Sequence, residues 1–273
     1  MIGRSLAARL VAQNNEVRLA GRREADISFD LTDWENRPAP DETFDVVVHI
    51  AADFGGATDK DFVRAELVNT VGTLSACSLA HRVNAKHFIL LSSISATYST
   101  ADPYFGIYAL SKRHGEEAAQ LFCAERNIDL TILRPSQVYD DAGFCRPHQE
   151  FLYLIADKAQ NGQSVEIYGT HDARRNYIHL SDLTETIARV AEQRQVGIFA
   201  CIHPHYVHLS EMANAAYCAF GTAGQIMFLT DKSDLVDLPR TDDFELYPKI
   251  NFWPGIDIKD AYKRIKAERE KRS

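Results

Sequence analysis

The chain has 273 residues, 45% of them hydrophobic and 25% charged, enough to bury one large domain or a large domain with a smaller lobe. Its net charge of -8 excludes a general binder of nucleic acid or anionic membranes, because such proteins cluster Lys and Arg against phosphates. The five scattered cysteines include no C-x-x-C pair, and no apolar run is long enough to span a bilayer. We therefore expect a cytoplasmic protein without disulfides or a zinc cluster.

The chain begins with a predicted amphipathic helix from Arg4 to Gln13, followed by a short strand, "EVRLA", and a basic turn. A dinucleotide site normally carries an acid in this turn for the ribose hydroxyls, but here the turn is Gly21-Arg22-Arg23. A small residue followed by arginines leaves room and charge for a 2'-phosphate, which favours NADP over NAD. The alternative is an exposed basic turn without a ligand.

Further strands and helices alternate along the chain. The predicted strands are "DVVVHI", "HFILLSS", "LTILRP", "VEIYG" and "GIFACI". The predicted helices run from Lys60 to Arg82, Tyr108 to Arg126, Glu150 to Gln160, Ser181 to Gln193 and Ser210 to Phe220, with Ser181 and Ser210 as N-caps. The alternation predicts an α/β fold with a doubly wound, Rossmann-type parallel sheet. The tail "KRIKAEREKRS" predicts a solvated terminal helix.

The strongest candidate for chemistry is a buried strand ending in Ser92-Ser93, followed by a loop and a helix that starts with Tyr108 and Lys112. The spacing of four places Tyr108 and Lys112 on one face of the helix. A Lys ammonium there favours the phenolate, which would lower the pKa of Tyr108 and suit it to acid or base catalysis. Ser93 lies at the carboxyl end of the strand, where such sheets bind ligands. The alternative is a surface Tyr-Lys pair that arises by chance.

A histidine cluster, "HPHYVH", brings His203, His205 and His208 close together in the sequence. Three histidines can bind a metal, but a closed site needs further ligands and oriented supporting groups. We therefore predict no metal site.

Taken together, the motifs are more specific than any one of them. The stretches "FDLTD", "VVVHIAA", "NTVGT", "LLSSIS", "YALSK", "ILRPSQVY" and "VEIYGTHDARRNYIHLSDL" follow one another across nearly the whole chain. In this order they resemble the extended short-chain dehydrogenase/reductase family, in its NAD-dependent epimerase/dehydratase branch, which includes UDP-glucose 4-epimerases and nucleotide-sugar 4-ketoreductases. The resemblance implies a smaller C-terminal substrate lobe, a nucleotide-sugar substrate and a homodimer formed by the helices of 60–82 and 108–126.

The resemblance also implies a role for individual residues. The catalytic residues would be Ser93, Tyr108 and Lys112. The cofactor would contact Gly3, Arg22, Arg23, Asp30, Leu31, Ala51, Ala52, Asn69, Tyr108, Lys112 and Pro135. The substrate would contact Ser93, Arg175 and, on a looser alignment, Arg240.

The chain departs from the family pattern in two places. Ile94-Ser95-Ala96 stand where the dehydratases carry an Asp-Glu pair, so dehydration is not expected. The stretch before Tyr108 is short and its register leaves Ser92 or Ser95 as alternatives to Ser93. The expected enzyme is a 4-epimerase or a 4-ketoreductase; the alternatives are a non-catalytic binding or regulatory protein and a reductase of a non-sugar carbonyl compound.

The resemblance divides the chain into two parts. Residues 1–145 would form the dinucleotide-binding domain, to which 176–202 return, while 146–175 and 203–273 would form the substrate lobe. Gly3 aligns with the last glycine of T-G-x-x-G-x-x-G, so we expect the first strand and most of the Gly-rich loop to be missing, about ten residues. Three explanations would account for the missing segment: a start site assigned too far downstream, a truncated chain, or a degenerate relative of the family that no longer binds its cofactor.

Overall fold

A parallel sheet of four strands forms the centre of the molecule. The structure is a computed structural model, and it describes residues 1–33 and 40–272. Its strands are β3 Val46–His49, β4 His87–Leu91, β5 Asp129–Pro135 and β10 Gly197–Cys201, in the order β10-β5-β4-β3. The strands are rich in Val, Ile, Leu and Phe because both faces of the sheet are covered.

The short strands pair outside this sheet. They are β1 Ala20–Gly21, β2 Ile27–Ser28, β6 Gln137–Tyr139, β7 Val165–Tyr168, β8 Arg174–Arg175, β9 Tyr177–His179, β11 Val207–His208 and β12 Ile226–Leu229. They form the pairs β1-β2, β6-β9, β11-β8 and β12-β7, of which only β11-β8 is antiparallel.

The helices cover the sheet and form the lobe beside it. They are α1 Ile2–Ala12, α2 Asp59–Glu66, α3 Gly72–Arg82, α4 Ile107–Arg126, α5 Glu150–Gln160, α6 Leu180–Gln193, α7 Leu209–Phe220, α8 Leu246–Lys249 and α9 Ile258–Glu270. A π-helical turn, Leu67–Val71, joins α2 to α3. None of the helices in the described residues is long and apolar enough to cross a membrane.

Helices lie on both faces of the sheet, as the doubly wound arrangement requires. Alternate side chains of β4 point to opposite faces, so Ile89 joins the core under α1 and α6, whereas Phe88 joins the core under α3 and α4. The sequence prediction of a Rossmann-type α/β fold is therefore confirmed.

A separate core lies under α5, α7 and α9 and the β7-β12 pair. Helix α9 contributes Ala261, Tyr262 and Ile265 to this core, and all three are buried. Ala261 and Tyr262 precede the tail "KRIKAEREKRS", for which a solvated helix was predicted, and among the described residues of that tail only Ile265 is buried. The three apolar residues recur at spacings of one, three and four and form a stripe among the charges.

The prediction for "EVRLA" was also wrong in extent. Only Ala20–Gly21 is a strand, and it pairs with Ile27–Ser28 rather than with β3. A strand needs a hydrogen-bonding neighbour along its length, and within the described residues the preceding segment has none.

The two predicted serine N-caps, Ser181 and Ser210, each lie two residues after the observed N-cap. His179 and His208 cap α6 and α7 instead. His179 Nδ1 accepts the Ser181 N–H at 3.1 Å, and the Glu211 carboxylate accepts the His208 N–H at 2.8 Å. A histidine ring can therefore take the acceptor role that the sequence rules assign to serine.

Candidate functional site

A cavity of about 1890 Å³ extends along the whole of β3, at the edge of the sheet, and over the carboxyl ends of β4 and β5. Parallel strands end at the same edge of a sheet, so residues distant in sequence meet there. Of the predicted site residues, the cavity is lined by Gly3, Arg22, Asp30, Leu31, Ala51, Ala52, Ser93, Tyr108, Lys112, Pro135 and Arg175. Arg23, Asn69 and Arg240, which also belong to the described chain, lie outside its lining.

Tyr108 and Lys112 begin α4 and face the end of β4. Burial raises the pKa of Tyr108 to about 12, and a hydrogen bond with the Ser93 side chain opposes the rise. The Lys112 Nζ donates to the Leu91 carbonyl at 2.8 Å. The lowered pKa expected for Tyr108 is therefore absent here, because burial dominates and the ammonium is directed at a carbonyl oxygen.

Lys112 is itself perturbed by its surroundings. Its side chain is buried, and this burial lowers the pKa to about 8, while the Glu116 carboxylate one turn further along α4 opposes the fall. Glu116 in turn accepts the Arg134 Nε–H at 2.9 Å. A buried carboxylate bound to arginine therefore stands beside the lysine and favours its charged form.

The three candidate serines have different contacts. Ser93 is the one that contacts Tyr108, and its Oγ also accepts the Ser95 N–H at 3.2 Å. The Ser95 side chain bonds to Tyr98, and the Ser92 Oγ is buried without a hydrogen-bond partner among the described residues. The geometry thus favours Ser93 over both alternatives.

Asn69 supports the site from outside the cavity. The π-helical turn brings its amide to Asp53, where Oδ1 accepts the backbone N–H at 2.9 Å and Nδ2 donates to the carbonyl at 2.7 Å. Nδ2 also donates to Ser111 Oγ at 2.9 Å. Asn69 therefore anchors the loop after β3 to α4.

Phe54, in that anchored loop, is a feature that the sequence reasoning missed. Its ring stacks on Tyr108 at 4.9 Å between centroids and on His148 at 3.9 Å. The next residue, Gly55, has a φ of +72°, and a side chain there would approach Ile107 Cγ2 to 2.5 Å. The glycine thus turns the loop tightly enough to place Phe54 over the tyrosine ring. In the sequence, the glycines of "FGG" are the signal that could have predicted this bend.

The basic turn lies at the other end of the cavity. Arg22 lines the cavity and Arg23 does not. The Asp30 carboxylate accepts the N–H and the hydroxyl of Thr32 at 2.9 and 2.8 Å, and these bonds, with the charge of Arg22, lower the pKa of Asp30. An anionic and a cationic side chain therefore stand near each other at this end.

Arg175 is held at the boundary with a second cavity. Its Nη1 donates to the Val236 carbonyl at 2.8 Å and its Nη2 to the Tyr104 hydroxyl at 3.2 Å. The second cavity, of about 360 Å³, shares Arg175 with the first, together with Gln137, His148 and Gln149. Arg240 bonds instead to Asp242 at 2.9 and 3.0 Å.

The three histidines of "HPHYVH" have protein partners. His203 Nδ1 accepts the His205 N–H at 3.1 Å, and His208 Nδ1 lies 2.7 Å from the Asp172 carbonyl oxygen. No group of three or more metal-ligating side chains occurs in residues 1–33 and 40–272.

The lining of the large cavity fits a nicotinamide dinucleotide. Arg22 supplies a cation near Asp30 at one end and Lys112 supplies another near Tyr108, with small apolar side chains of Ala51 and Ala52 between. Gly3 at the start of α1 also lines the cavity, where a side chain would contact Ile50 Cδ1 at 3.9 Å. The N-terminus of a helix suits a phosphate group.

Comparison with known proteins agrees with this architecture. The model of the "NAD dependent epimerase/dehydratase family" matches residues 1–200. A probable UDP-glucuronate 4-epimerase of Rhizobium meliloti (strain 1021) is 28% identical over 158 residues, 54% of this chain and 46% of that protein. A dTDP-4-dehydro-6-deoxy-D-allose reductase of a Streptomyces species is 26% identical over 224 residues, 72% of this chain and 68% of that protein.

Solved structures share the fold along the whole chain. The structure of RMD from Pseudomonas aeruginosa complexed with NADPH superposes with a TM-score of 0.76 at 17% identity, covering 100% of this chain and 96% of that one. The chain spans about half the length of the Rhizobium relative and about two thirds of the Streptomyces one.

Proposed function

The chain belongs to the NAD dependent epimerase/dehydratase family, and from this premise we propose that it exchanges a hydride at C4 of a nucleotide-linked sugar, as a 4-epimerase or a 4-ketoreductase. The observation that carries the proposal is the meeting of Ser93, Tyr108 and Lys112 in a cavity that extends to Arg175. The relatives named above are one 4-epimerase and one reductase, which supports both reactions.

Each of these side chains has a proposed task. Tyr108 takes or gives the proton of the C4 hydroxyl, and Ser93 hydrogen-bonds the same oxygen. Lys112 turns from the Leu91 carbonyl toward the cavity, where its charge favours the phenolate. Arg175 binds the diphosphate with its guanidinium fork. A bound nicotinamide supplies the hydride chemistry.

Arg22 supports NADP as the cofactor, since a guanidinium in the cavity suits a 2'-phosphate. Reductases consume bulk cofactor, so this preference leans toward a 4-ketoreductase. In this proposal residues 1–145 and 176–202 bind the cofactor, and residues 146–175 and 203–273 bind the substrate.

Product analysis by mass spectrometry tests the reaction. The full chain is incubated with a panel of nucleotide sugars and their 4-keto forms, with and without NADPH, beside a Tyr108→Phe variant. We expect one substrate to be converted, and the variant to be slower by about 100-fold or more because it has no transferable proton. Absence of conversion across the panel would overturn the proposal.

The choice between an enzyme and a binding protein is tested separately. We expect calorimetric titration to show NADPH binding, tighter than NADH binding, in the wild-type chain and in Tyr108→Phe. A chain that binds neither dinucleotide would contradict the proposed oxidoreductase and leave a regulatory role. Conversion of simple carbonyl compounds, with no turnover of nucleotide sugars, would instead identify a non-sugar reductase.

We also infer that the protein is a cytoplasmic homodimer. Phe62, Val63 and Leu67 expose apolar side chains on α2 and the turn after it, and Leu121 does so on α4. Neighbouring exposed apolar groups favour a contact between copies. Light scattering should give twice the chain mass for the wild type and the single mass for Leu121→Glu; a monomeric wild type would refute the dimer.

A further inference from the structure

The second cavity is a slot between one face of α5 and one face of β7. Phe151, Leu154 and Lys158 recur at spacings of three and four, so they share a face of α5, and all three line the slot. In β7 the side chains alternate between buried and exposed, which turns Glu166 and Tyr168 to the same side, again lining the slot.

The walls of the slot combine apolar surface with two opposite charges. Leu154 and Tyr168 expose 39% and 50% of their surface, large fractions for such side chains. The Lys158 Nζ donates to the Ser164 carbonyl at 3.0 Å and lies 3.9 Å from the Glu166 carboxylate. A ligand group that suits these walls therefore covers apolar surface and carries an acceptor for Lys158 and donors for Glu166 on its edge.

Arg175 connects this slot to the cavity that contains Tyr108. It lines both cavities, and its guanidinium is fixed by bonds to the Val236 carbonyl and the Tyr104 hydroxyl. A diphosphate bound there, with its sugar toward Tyr108, directs its nucleoside into the slot.

On the basis of the proposed function, we propose that the slot selects a guanine base, so that the substrate is a GDP-linked sugar. The Watson–Crick edge of guanine presents the O6 acceptor beside two parallel donors, N1–H and N2–H. Lys158 donates to O6, and the two oxygens of Glu166 accept the two N–H groups. The two-ring base also covers the apolar surface of Leu154 and Tyr168.

The other common bases match this pair of charges less well. Uracil and thymine have a single N3–H between two carbonyls, so one oxygen of Glu166 would face a carbonyl oxygen. Adenine offers one amino group and no acceptor equivalent to O6. Cytosine offers an amino group and two acceptors, and so leaves one carboxylate oxygen without a donor and covers less apolar surface.

Calorimetric titration of the full chain with GDP, UDP, dTDP, CDP and ADP tests the inference. We expect GDP to bind at least about tenfold more tightly than each of the others, because a polar group that the bound base encloses without giving it a partner weakens binding. Equal or tighter binding of UDP, dTDP, CDP or ADP would overturn the guanine assignment and leave the nucleotide-sugar proposal intact. Binding of none of the five would overturn both.

Substitutions separate base recognition from general binding. Glu166→Gln keeps the shape of the side chain and presents an amide nitrogen where guanine presents a donor, so we expect GDP to bind about tenfold more weakly and UDP not to weaken. Lys158→Met should weaken GDP binding, because the donor to O6 is lost. Glu117→Gln, on the exposed side of α4, is the matched control and should leave the affinities for GDP and UDP unchanged. An unaltered preference for GDP in Glu166→Gln, with folding verified by circular dichroism, would refute the role of Glu166.

Discussion

Around Tyr108 the large cavity is formed by a buried strand and a long helix, whereas around Arg22 it is formed by exposed turns and two strands of two residues each. At the first end the polar groups are tied to the core: Lys112 to the Leu91 carbonyl, and Glu116 to Arg134. At the second end Thr32 and the Leu19 N–H make local hydrogen bonds to the carboxylates of Asp30 and Asp26.

In the proposed enzyme this difference couples catalysis to stability at the Tyr108 end, and it separates cofactor preference from stability at the Arg22 end. Buried charged groups are costly to leave unpaired, so a substitution near Tyr108 affects the whole fold. An exposed turn contributes little to folding, so its residues can change ligand preference freely. Three substitutions test this comparison.

Glu116→Gln should have the largest effect on stability. The carboxylate is 2% exposed and its partner Arg134 is 25% exposed, and removal of one member of a buried pair costs about 3 kcal/mol. Denaturant unfolding followed by circular dichroism should show this fall in the free energy of unfolding. The control is the neighbouring exposed Glu117→Gln, with a change under about 0.5 kcal/mol. Equal stabilities for the two variants would mean that the pair does not tie this end to the core.

Lys112→Met should change how stability depends on pH. Burial lowers the pKa of Lys112 from 10.5 to about 8, so between these values the unfolded chain binds more protons and the free energy of unfolding rises with pH. The wild type should therefore gain about 3 kcal/mol relative to Lys112→Met between pH 7.5 and pH 10.5. Denaturant unfolding across this range measures the difference, with Lys60→Met at the exposed start of α2 as control. Parallel pH curves for wild type and Lys112→Met would show that the ammonium is solvated.

The same contrast explains what the sequence could predict. Strands β3, β4, β5 and β10 and the helix of Tyr108 were predictable because they are long, strongly patterned and buried. The position of Tyr108 and Lys112 on one face of α4 needed only helix geometry. The fold class followed from the alternation of strands and helices, and the family from motifs spread along the chain.

Interactions between distant segments were not predictable. The stack of Phe54 on His148 joins residues 94 positions apart, and the slot between α5 and β7 requires the orientation of both elements. The extent of β1 depends on which strand pairs with it, and the stripe on α9 is hidden among charges. The pKa of Tyr108 is raised because the side chain is buried, and a helical spacing does not reveal burial.

Arg22→Ala should have the smallest effect on stability and a selective effect on binding. Arg22 lines the cavity in an exposed turn, so we expect an unchanged melting temperature, NADPH binding weaker by about tenfold and unaltered NADH binding, because only NADPH carries the 2'-phosphate. Arg23→Ala, one residue further and outside the cavity, removes the same charge and provides the matched control. Calorimetric titration of both variants with both dinucleotides separates a placed guanidinium from general positive charge. If Arg23→Ala weakens NADPH binding as much as Arg22→Ala does, the turn acts by net charge alone. The structural basis for preferring NADP at this end of the cavity is then lost.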